Sequence, residues 1–175
     1  MPRTFKTEAI VLRKRSLLNK DLIVTLFTEK YGKINVFAKG IKKITSRRLP
    51  HTQTGNLINV LIHRKEERLY LQESSLISGF SEIKKNQKKI NDLYYILFVL
   101  ERLAPENQKE ATLYNLIKRF LIELSGPVGL NNSIVTKYLN KILAVLGYLH
   151  KEKTLAELRL IIEEIINEKL PSFDI

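Results

Sequence analysis

The stretch VTLFTEKYGKINVFAKG, Val24–Gly40, decides the fold because it holds most of two β-rich runs and a tight turn between them. The runs, Leu22–Thr28 and Lys33–Lys39, are rich in β-branched and aromatic residues, which favour strands. The intervening Tyr31-Gly32 supplies a residue that tolerates the positive φ of a tight turn. The stretch therefore predicts an antiparallel β-hairpin.

Three further runs of the same kind flank this hairpin within the first 80 residues. A polar segment, His63–Arg68, is predicted as a turn, and a long connection, Gly40–Thr54, precedes the fourth run. Five strands with a long third connection predict a small closed or partly closed barrel of the OB type, with a five-stranded sandwich fragment as the alternative. The five predicted strands are Glu8–Arg15, Leu22–Thr28, Lys33–Lys39, Gly55–Ile62 and Leu69–Ser78.

The second half of the chain changes to the spacing of helices, in which apolar residues recur at every third or fourth position. Thr154 and Glu157 have the spacing of a capping box, which predicts a helix start. We therefore predict an α+β protein, with a nucleic-acid-binding OB-fold barrel over residues 1–80 and an all-helical domain over residues 81–175. The four predicted helices are Ile90–Leu103, Leu113–Leu124, Ile134–Leu149 and Leu155–Ile166.

The formal net charge of +12 is unevenly distributed along the chain. Residues 1–80 carry 16 Lys and Arg against 6 Asp and Glu, whereas residues 81–175 carry 14 against 12. The basic run AKGIKKITSRR, Ala38–Arg48, has five cations and no acidic residue, although such a run alone is typical of a solvated loop. Concentration of charge in one half indicates a polyanionic ligand, most often nucleic acid.

Several classes of chemistry have no support in the sequence. There is no cysteine, which excludes disulfides, thiolate nucleophiles and cysteine-ligated zinc. His51, His63 and His150 have no second ligand at metal-binding spacing, and no glycine-rich phosphate loop or catalytic carboxylate pair is present. We therefore expect a protein that is not an enzyme and needs no cofactor. Without an apolar stretch long enough to span a bilayer, it is expected to be cytoplasmic and free of membrane contact.

Three segments, Thr7–Arg15 (TEAIVLRKR), Val24–Gly40 and Ser46–Arg48 (SRR), resemble the N-terminal signature of the RecO family of bacterial DNA repair and recombination-mediator proteins. The best match in the helical half is Lys141–Leu149 (KILAVLGYL). The resemblance implies an OB-fold domain followed by a helical domain. It also implies binding and annealing of single-stranded DNA, with duplex DNA left open as a further ligand. The implied partners are RecR and the single-stranded DNA-binding protein, with which the family helps load the recombinase at gaps.

One departure from the family pattern follows the segment Gly147–Leu149. Many members of the family place a four-cysteine zinc module there, whereas this chain continues directly into His150 and its last helix. We therefore expect a short form of the family that binds no zinc.

Ten residues of the first half are candidates for DNA contact. The cations are predicted to neutralise phosphates, although those ending the first strand are equally typical of a solvated strand end. The two aromatics alternate with apolar neighbours and are predicted to stack on bases, the alternative being that they pack beneath the helical domain. The candidates are Lys39, Lys42, Lys43, Arg47 and Arg48, then Arg13, Lys14 and Arg15, and the aromatics Phe37 and Tyr70.

In the helical half, Lys137, Tyr138 and Lys141 are the candidates for partner binding. The resemblance implies that the acidic, Phe-ending tail of the single-stranded DNA-binding protein docks on this half. Such a ligand needs an apolar pocket and nearby cations, and the two lysines stand one helical turn apart with the tyrosine between them. The alternative is an ordinary solvated helix face.

The predicted function is therefore that of a DNA repair and recombination mediator. Two other functions remain consistent with the charge pattern. One is an RNA-binding OB-fold protein of ribosome assembly or translation, and the other is a structural adaptor whose basic face binds an acidic protein.

Overall fold

A computed structural model describes residues 2–17, 21–41, 48–127 and 134–171. The chain divides into two compact units. The first comprises Met1–Gly79 with Pro105–Tyr114, and the second comprises Phe80–Ala104 with Asn115–Ile175. We call them the barrel unit and the helical unit.

The described residues of the barrel unit form five strands that close into a barrel in the order β1-β2-β3-β5-β4. Every neighbouring pair is antiparallel except β3 and β5, which meet in parallel. The closure confirms the OB-type barrel and excludes the sandwich fragment. The strands are β1 (Thr4–Ser16), β2 (Leu22–Thr28), β3 (Gly32–Ala38), β4 (Leu57–Lys65) and β5 (Arg68–Ser78).

The β2–β3 hairpin turns at the predicted glycine. Gly32 has a φ of +67°, and β2 and β3 then pair without interruption from Thr28–Gly32 to Leu22–Ala38. The Thr28 hydroxyl donates to the Gly32 carbonyl at 2.9 Å and accepts the Tyr31 amide at 3.0 Å, so the polar groups of the turn are paired. The predicted hairpin is confirmed.

Alternating apolar residues of the five strands fill the barrel interior, as their period of two requires. Ile34, Val36 and Ala38 are buried, whereas Asn35 between them is exposed. On β5, Leu69 and Leu71 are buried in the same way. The outward positions of these strands are therefore available for other contacts.

The predicted polar turn over His63–Arg68 is wrong because the hairpin is tighter. Residues 63–65 pair with residues 70–68, and only Glu66 and Glu67 form the turn, with Glu66 at a φ of +56°. Polar side chains on the outside of a barrel do not prevent strand pairing, because only the side chains that face the interior need to be apolar. Strand β1 likewise begins four residues earlier than predicted, at Thr4.

After residue 80, the described residues form the four predicted helices and one short addition, and all of them lie in the helical unit except residues 111–114 at the start of the third predicted helix. The capping box is present, with the Thr154 side chain accepting from the Glu157 amide and the Glu157 side chain accepting from the Thr154 amide. No helix among the described residues is long and apolar enough to cross a membrane. The helices are α1 (Ser81–Lys84), which was not predicted, α2 (Gln87–Leu103), α3 (Ala111–Ser125), α4 (Ile134–Val145) and α5 (Leu155–Ile166).

Helix α4 ends at Val145 and not at Leu149 as predicted. Gly147 adopts a φ of +82°, and the Tyr148 amide donates to the Leu143 carbonyl at 2.8 Å. This is the Schellman arrangement, which ends a helix at a glycine even where apolar periodicity continues beyond it.

An unpredicted feature is the return of residues 105–114 to the barrel unit. The Asn107 amide donates to the Lys33 carbonyl at 2.9 Å, and the buried Tyr114 donates its hydroxyl to Glu8 at 2.8 Å. A Cβ at Gly32 would lie 1.8 Å from the Gln108 carbonyl oxygen, so the segment packs directly on the hairpin turn.

We predict that Gly32→Ala lowers the free energy of unfolding by about 3 kcal/mol, because the substitution adds both left-handed strain and a backbone clash. The matched control is Gly147→Ala, where φ is also positive but nothing lies within 4 Å of the added Cβ. The control should lose about 1 kcal/mol in the same urea denaturation measurement. Equal losses at the two glycines would show that Gln108 does not press on the turn.

Candidate nucleic-acid interface

The two candidate aromatics are neighbours across the strands that close the barrel. Phe37 of β3 and Tyr70 of β5 form the pair at which these strands meet in parallel. Their ring centroids are 5.8 Å apart with the ring planes inclined by 37°, and both side chains are half-buried. Because adjacent partners in a sheet point to the same face, both rings lie on the outer surface of the barrel, opposite the apolar interior.

A cation faces each of these two rings. The Lys39 ammonium is 4.9 Å from the Tyr70 centroid, and the Arg68 guanidinium carbon is 5.6 Å from the Phe37 centroid. These distances are within cation–π range, in which a positive charge is attracted to the negative face of a ring. We call Phe37, Tyr70, Lys39 and Arg68 the seam cluster.

Arg68 was not among the candidates from the sequence. The signal that would have found it is its position two residues before Tyr70, since alternate residues of a strand share a face. The predicted turn His63–Arg68 included this residue, but Arg68 is the first residue of β5.

Arg48, the last residue of the basic run, donates hydrogen bonds to two main-chain carbonyls. Its Nη1 donates to the Leu71 carbonyl at 2.7 Å, and its Nη2 donates to the Lys39 carbonyl at 2.8 Å. A further hydrogen bond holds the start of the Gly40–Thr54 connection, where the Gly40 amide donates to Asp21 Oδ1 at 2.6 Å. Of the other cations in the run, Lys39 is exposed, whereas Lys42, Lys43 and Arg47 lie outside the described residues.

The cations that end β1 are exposed on the same sheet. Arg15 pairs with Ile23, which pairs with Phe37, so the register places Arg15 in one cross-strand row with the seam cluster. Arg13 lies two residues away on the same face, and Lys14 alternates to the other face. Arg13 and Arg15 are thus placed to extend a basic surface from the seam cluster across β2.

In the helical unit, the candidate tyrosine is a core residue. Tyr138 is 3% exposed and packs edge-on against Phe120 with ring centroids 5.1 Å apart. Its hydroxyl donates to Glu123 at 2.9 Å, and Lys137 donates to the same carboxylate at 2.7 Å. The Lys137 hydrogen bond lowers the pKa of Glu123, and burial followed by the Glu123 contact raises the pKa of Tyr138 to about 12. Lys141 is exposed, and its ammonium lies 5.7 Å from the Tyr138 ring centroid. It acts on Glu123 through its charge, whereas Lys137 forms the ion pair with that carboxylate.

A cavity of about 160 Å³ opens beside Lys141 at the end of α4. Its walls combine apolar side chains with cations. The sequence did not predict this cavity, because Ile134–Leu149 was predicted as one continuous helix. The lining residues are Asn140, Lys141, Ala144, Leu149, His150, Lys151 and Glu152.

The described residues contain no group of three His, Cys, Asp or Glu side chains placed to hold a metal ion. Two histidines have hydrogen-bond partners: His51 Nδ1 lies 3.1 Å from the Ser74 hydroxyl, and His63 Nδ1 lies 3.0 Å from the Thr4 hydroxyl. Both imidazoles therefore form hydrogen bonds with side chains of barrel strands.

Comparison with known proteins agrees with the resemblance in the sequence. Residues 1–80 match the family described as Recombination protein O N terminal. A relative from Caldanaerobacter subterraneus subsp. tengcongensis, named DNA repair protein RecO, is 34% identical over 148 residues, which are 84% of this chain and 60% of the relative. Relatives of the same name from Thermoanaerobacter sp. and Pelotomaculum thermopropionicum are 31% and 28% identical, over 84% and 83% of this chain and 59% and 56% of their own lengths.

The family match covers all five strands of the barrel, and the match to the first relative continues into the helices, since 148 aligned residues extend well beyond the first 80. The chain spans about 60% of the length of the relatives it matches. With the closed five-stranded barrel followed by helices, these matches establish that the chain belongs to the RecO family.

Proposed function

We propose that this chain is a DNA repair and recombination mediator that binds single-stranded DNA at the seam cluster and anneals complementary strands. The observation that carries the proposal is the order of groups along the outer surface, a cation, two aromatic rings and a second cation. The site of action would be the bacterial cytoplasm, where the chromosome lies.

Bases of a single strand are free to stack on protein rings, whereas bases of a duplex are already stacked on one another. In the free protein, Lys39 and Arg68 face the rings of Tyr70 and Phe37. A base that stacks on either ring takes the place of the cation, which then lies beside the phosphate of the same nucleotide. Duplex DNA would meet only the basic surface, so we propose that it binds more weakly than the single strand.

Stacking and phosphate neutralisation leave the Watson–Crick edges of the bases unused. A strand held in this way keeps its edges available for a complementary strand, and neutralised phosphates reduce the repulsion between the two strands. This is the physical reason for proposing annealing together with binding.

The test of this function is annealing of complementary DNA oligonucleotides over a series of salt concentrations. Faster annealing that declines with salt supports the proposal. Binding to structured RNA without DNA annealing would instead favour the RNA-binding function of ribosome assembly or translation, and binding only to acidic protein would favour the adaptor.

We predict that Phe37→Ala and Tyr70→Ala each weaken single-stranded DNA binding about tenfold, because each removes one stacking surface. The control is Tyr94→Ala, which removes an exposed tyrosine from the helical unit. Fluorescence anisotropy with a labelled oligonucleotide would measure the affinity. Unchanged affinity in both aromatic variants, with folding intact, would contradict stacking at the seam cluster.

We predict that the triple variant Lys42→Ala, Lys43→Ala, Arg47→Ala reduces the slope of log affinity against log salt by about 2. Each lost phosphate contact on a single strand removes about 0.7 from this slope. The matched control removes three exposed cations of the helical unit, with the changes Lys85→Ala, Arg119→Ala and Lys169→Ala. A slope that falls equally in both triple variants would show that net charge matters and the basic run does not.

RecR, the recombinase and the single-stranded DNA-binding protein are proposed partners. The acidic, Phe-ending tail of the single-stranded DNA-binding protein is proposed to bind in the cavity beside Lys141, where Ala144 and Leu149 provide an apolar lining. Lys141 and Lys151 line the same cavity and have the charge to meet carboxylates, whereas Glu152 opposes them. The partner site predicted at Lys137, Tyr138 and Lys141 is therefore proposed to act through Lys141, because Glu123 accepts hydrogen bonds from the other two.

We predict that Lys141→Gln weakens binding of a labelled tail peptide about three- to fivefold, as expected for loss of one exposed charge pair. The control is Lys137→Gln, one helical turn away, which should bind the peptide almost as well as the unmodified chain. A second peptide without its terminal Phe should lose most of its affinity for every variant. If the two lysine variants bind equally well, the tail docks elsewhere.

A further inference from the structure

Arg48 contacts both strands that close the barrel. It donates to the carbonyl of Lys39, which follows β3, and to the carbonyl of Leu71 in β5. These two residues follow the aromatic pair along the chain, since Lys39 comes two residues after Phe37 and Leu71 comes one residue after Tyr70. One guanidinium therefore spans the point where β3 and β5 meet.

The same contact also closes the basic run. Lys39 and Arg48 are its first and last cations, and Arg48 Nη2 donates to the Lys39 carbonyl at 2.8 Å. The first and last cations of the run thus lie beside residues 70 and 71 of β5. The phosphate-binding run and the aromatic pair are thus joined through one side chain.

This arrangement needs the geometry of arginine. A guanidinium is planar and presents its donors in a fixed fork, so it can serve two carbonyls at once in fixed directions. A lysine has the same charge, but it is a point donor at the end of a flexible stem. Hydrogen bonds from a charged donor to a carbonyl are also stronger than neutral ones.

We propose that Arg48 is a positioning residue, whose guanidinium holds β3 against β5 so that Phe37 and Tyr70 stay adjacent and Lys39 stays over Tyr70. Its contribution to DNA binding comes from this geometry and not from a phosphate contact of its own. The inference rests on the proposed function for its consequence in DNA binding, but the geometry itself can be measured without DNA.

The experiment compares Arg48→Ala and Arg48→Lys with Lys39→Ala, in the full chain. In the free protein, the nuclear Overhauser contacts between the rings of Phe37 and Tyr70 should be lost in both Arg48 variants and kept in Lys39→Ala. Circular dichroism and thermal melting establish that each variant is folded. Unfolding of both Arg48 variants would overturn the proposal of a local role, because the residue would then hold the entire barrel.

In single-stranded DNA binding, both Arg48 variants should lose about tenfold in affinity with the salt slope unchanged, as expected when geometry and not a phosphate contact is lost. Lys39→Ala should reduce the slope by about 0.7. If Arg48→Lys binds like the unmodified chain while Arg48→Ala loses slope, Arg48 is a phosphate contact and the proposal is overturned.

The two readouts also separate this inference from the proposed function. Absence of DNA binding by the unmodified chain, together with loss of the ring contacts in both Arg48 variants, would refute DNA binding and support the role of Arg48 in the seam. Normal ring contacts in both Arg48 variants would refute that role whatever the DNA result.

Discussion

The parallel meeting of β3 with β5 is the constraint on which the rest of the barrel unit depends. β3 pairs with β2 along its whole length, but its register with β5 is confined to Phe37 and Tyr70. So short a parallel contact contributes few backbone hydrogen bonds, and the strands are joined there by side chains: two rings, the cations that face them, and the guanidinium of Arg48. The groups that close the barrel are therefore the same groups that are proposed to bind DNA.

The opposite end of the β2–β3 hairpin is held in a different way. Residues 105–114 lie against the turn at Gly32, and Tyr114 donates to Glu8 of β1. A buried tyrosine hydroxyl needs a partner, and burial together with this carboxylate raises the pKa of Tyr114. One end of β3 is thus fixed by a packed segment and the other by the seam cluster, which leaves the strand little freedom to shift its register.

The features of the fold that the sequence predicted correctly are those that depend on only a few adjacent residues. The hairpin follows from Gly32, and the start of α5 follows from Thr154 and Glu157. The errors arose where contacts distant in sequence, or main-chain geometry, decide the outcome. Apolar periodicity runs past Gly147, so the end of α4 was missed, and nothing local indicates that residues 105–114 return to the barrel unit. For the site, strand alternation placed Phe37 and Tyr70 outward, but their adjacency depends on a pairing between residues 33 positions apart.

Counting charges along the sequence indicates a polyanionic ligand but cannot distinguish what each cation does. In the folded chain, Lys39 and Arg68 lie over rings, Arg48 donates to two carbonyls, and Lys137 of the helical unit is paired with Glu123. A cation already engaged within the protein gains less from a phosphate than a solvated one, because it must first lose its existing partner. The 16 basic residues of the first 80 are therefore an upper bound on the phosphates that this part of the chain can neutralise. The proposed affinity for a strand would then depend as much on how the seam cluster is held in place as on the net charge that first suggested a polyanion.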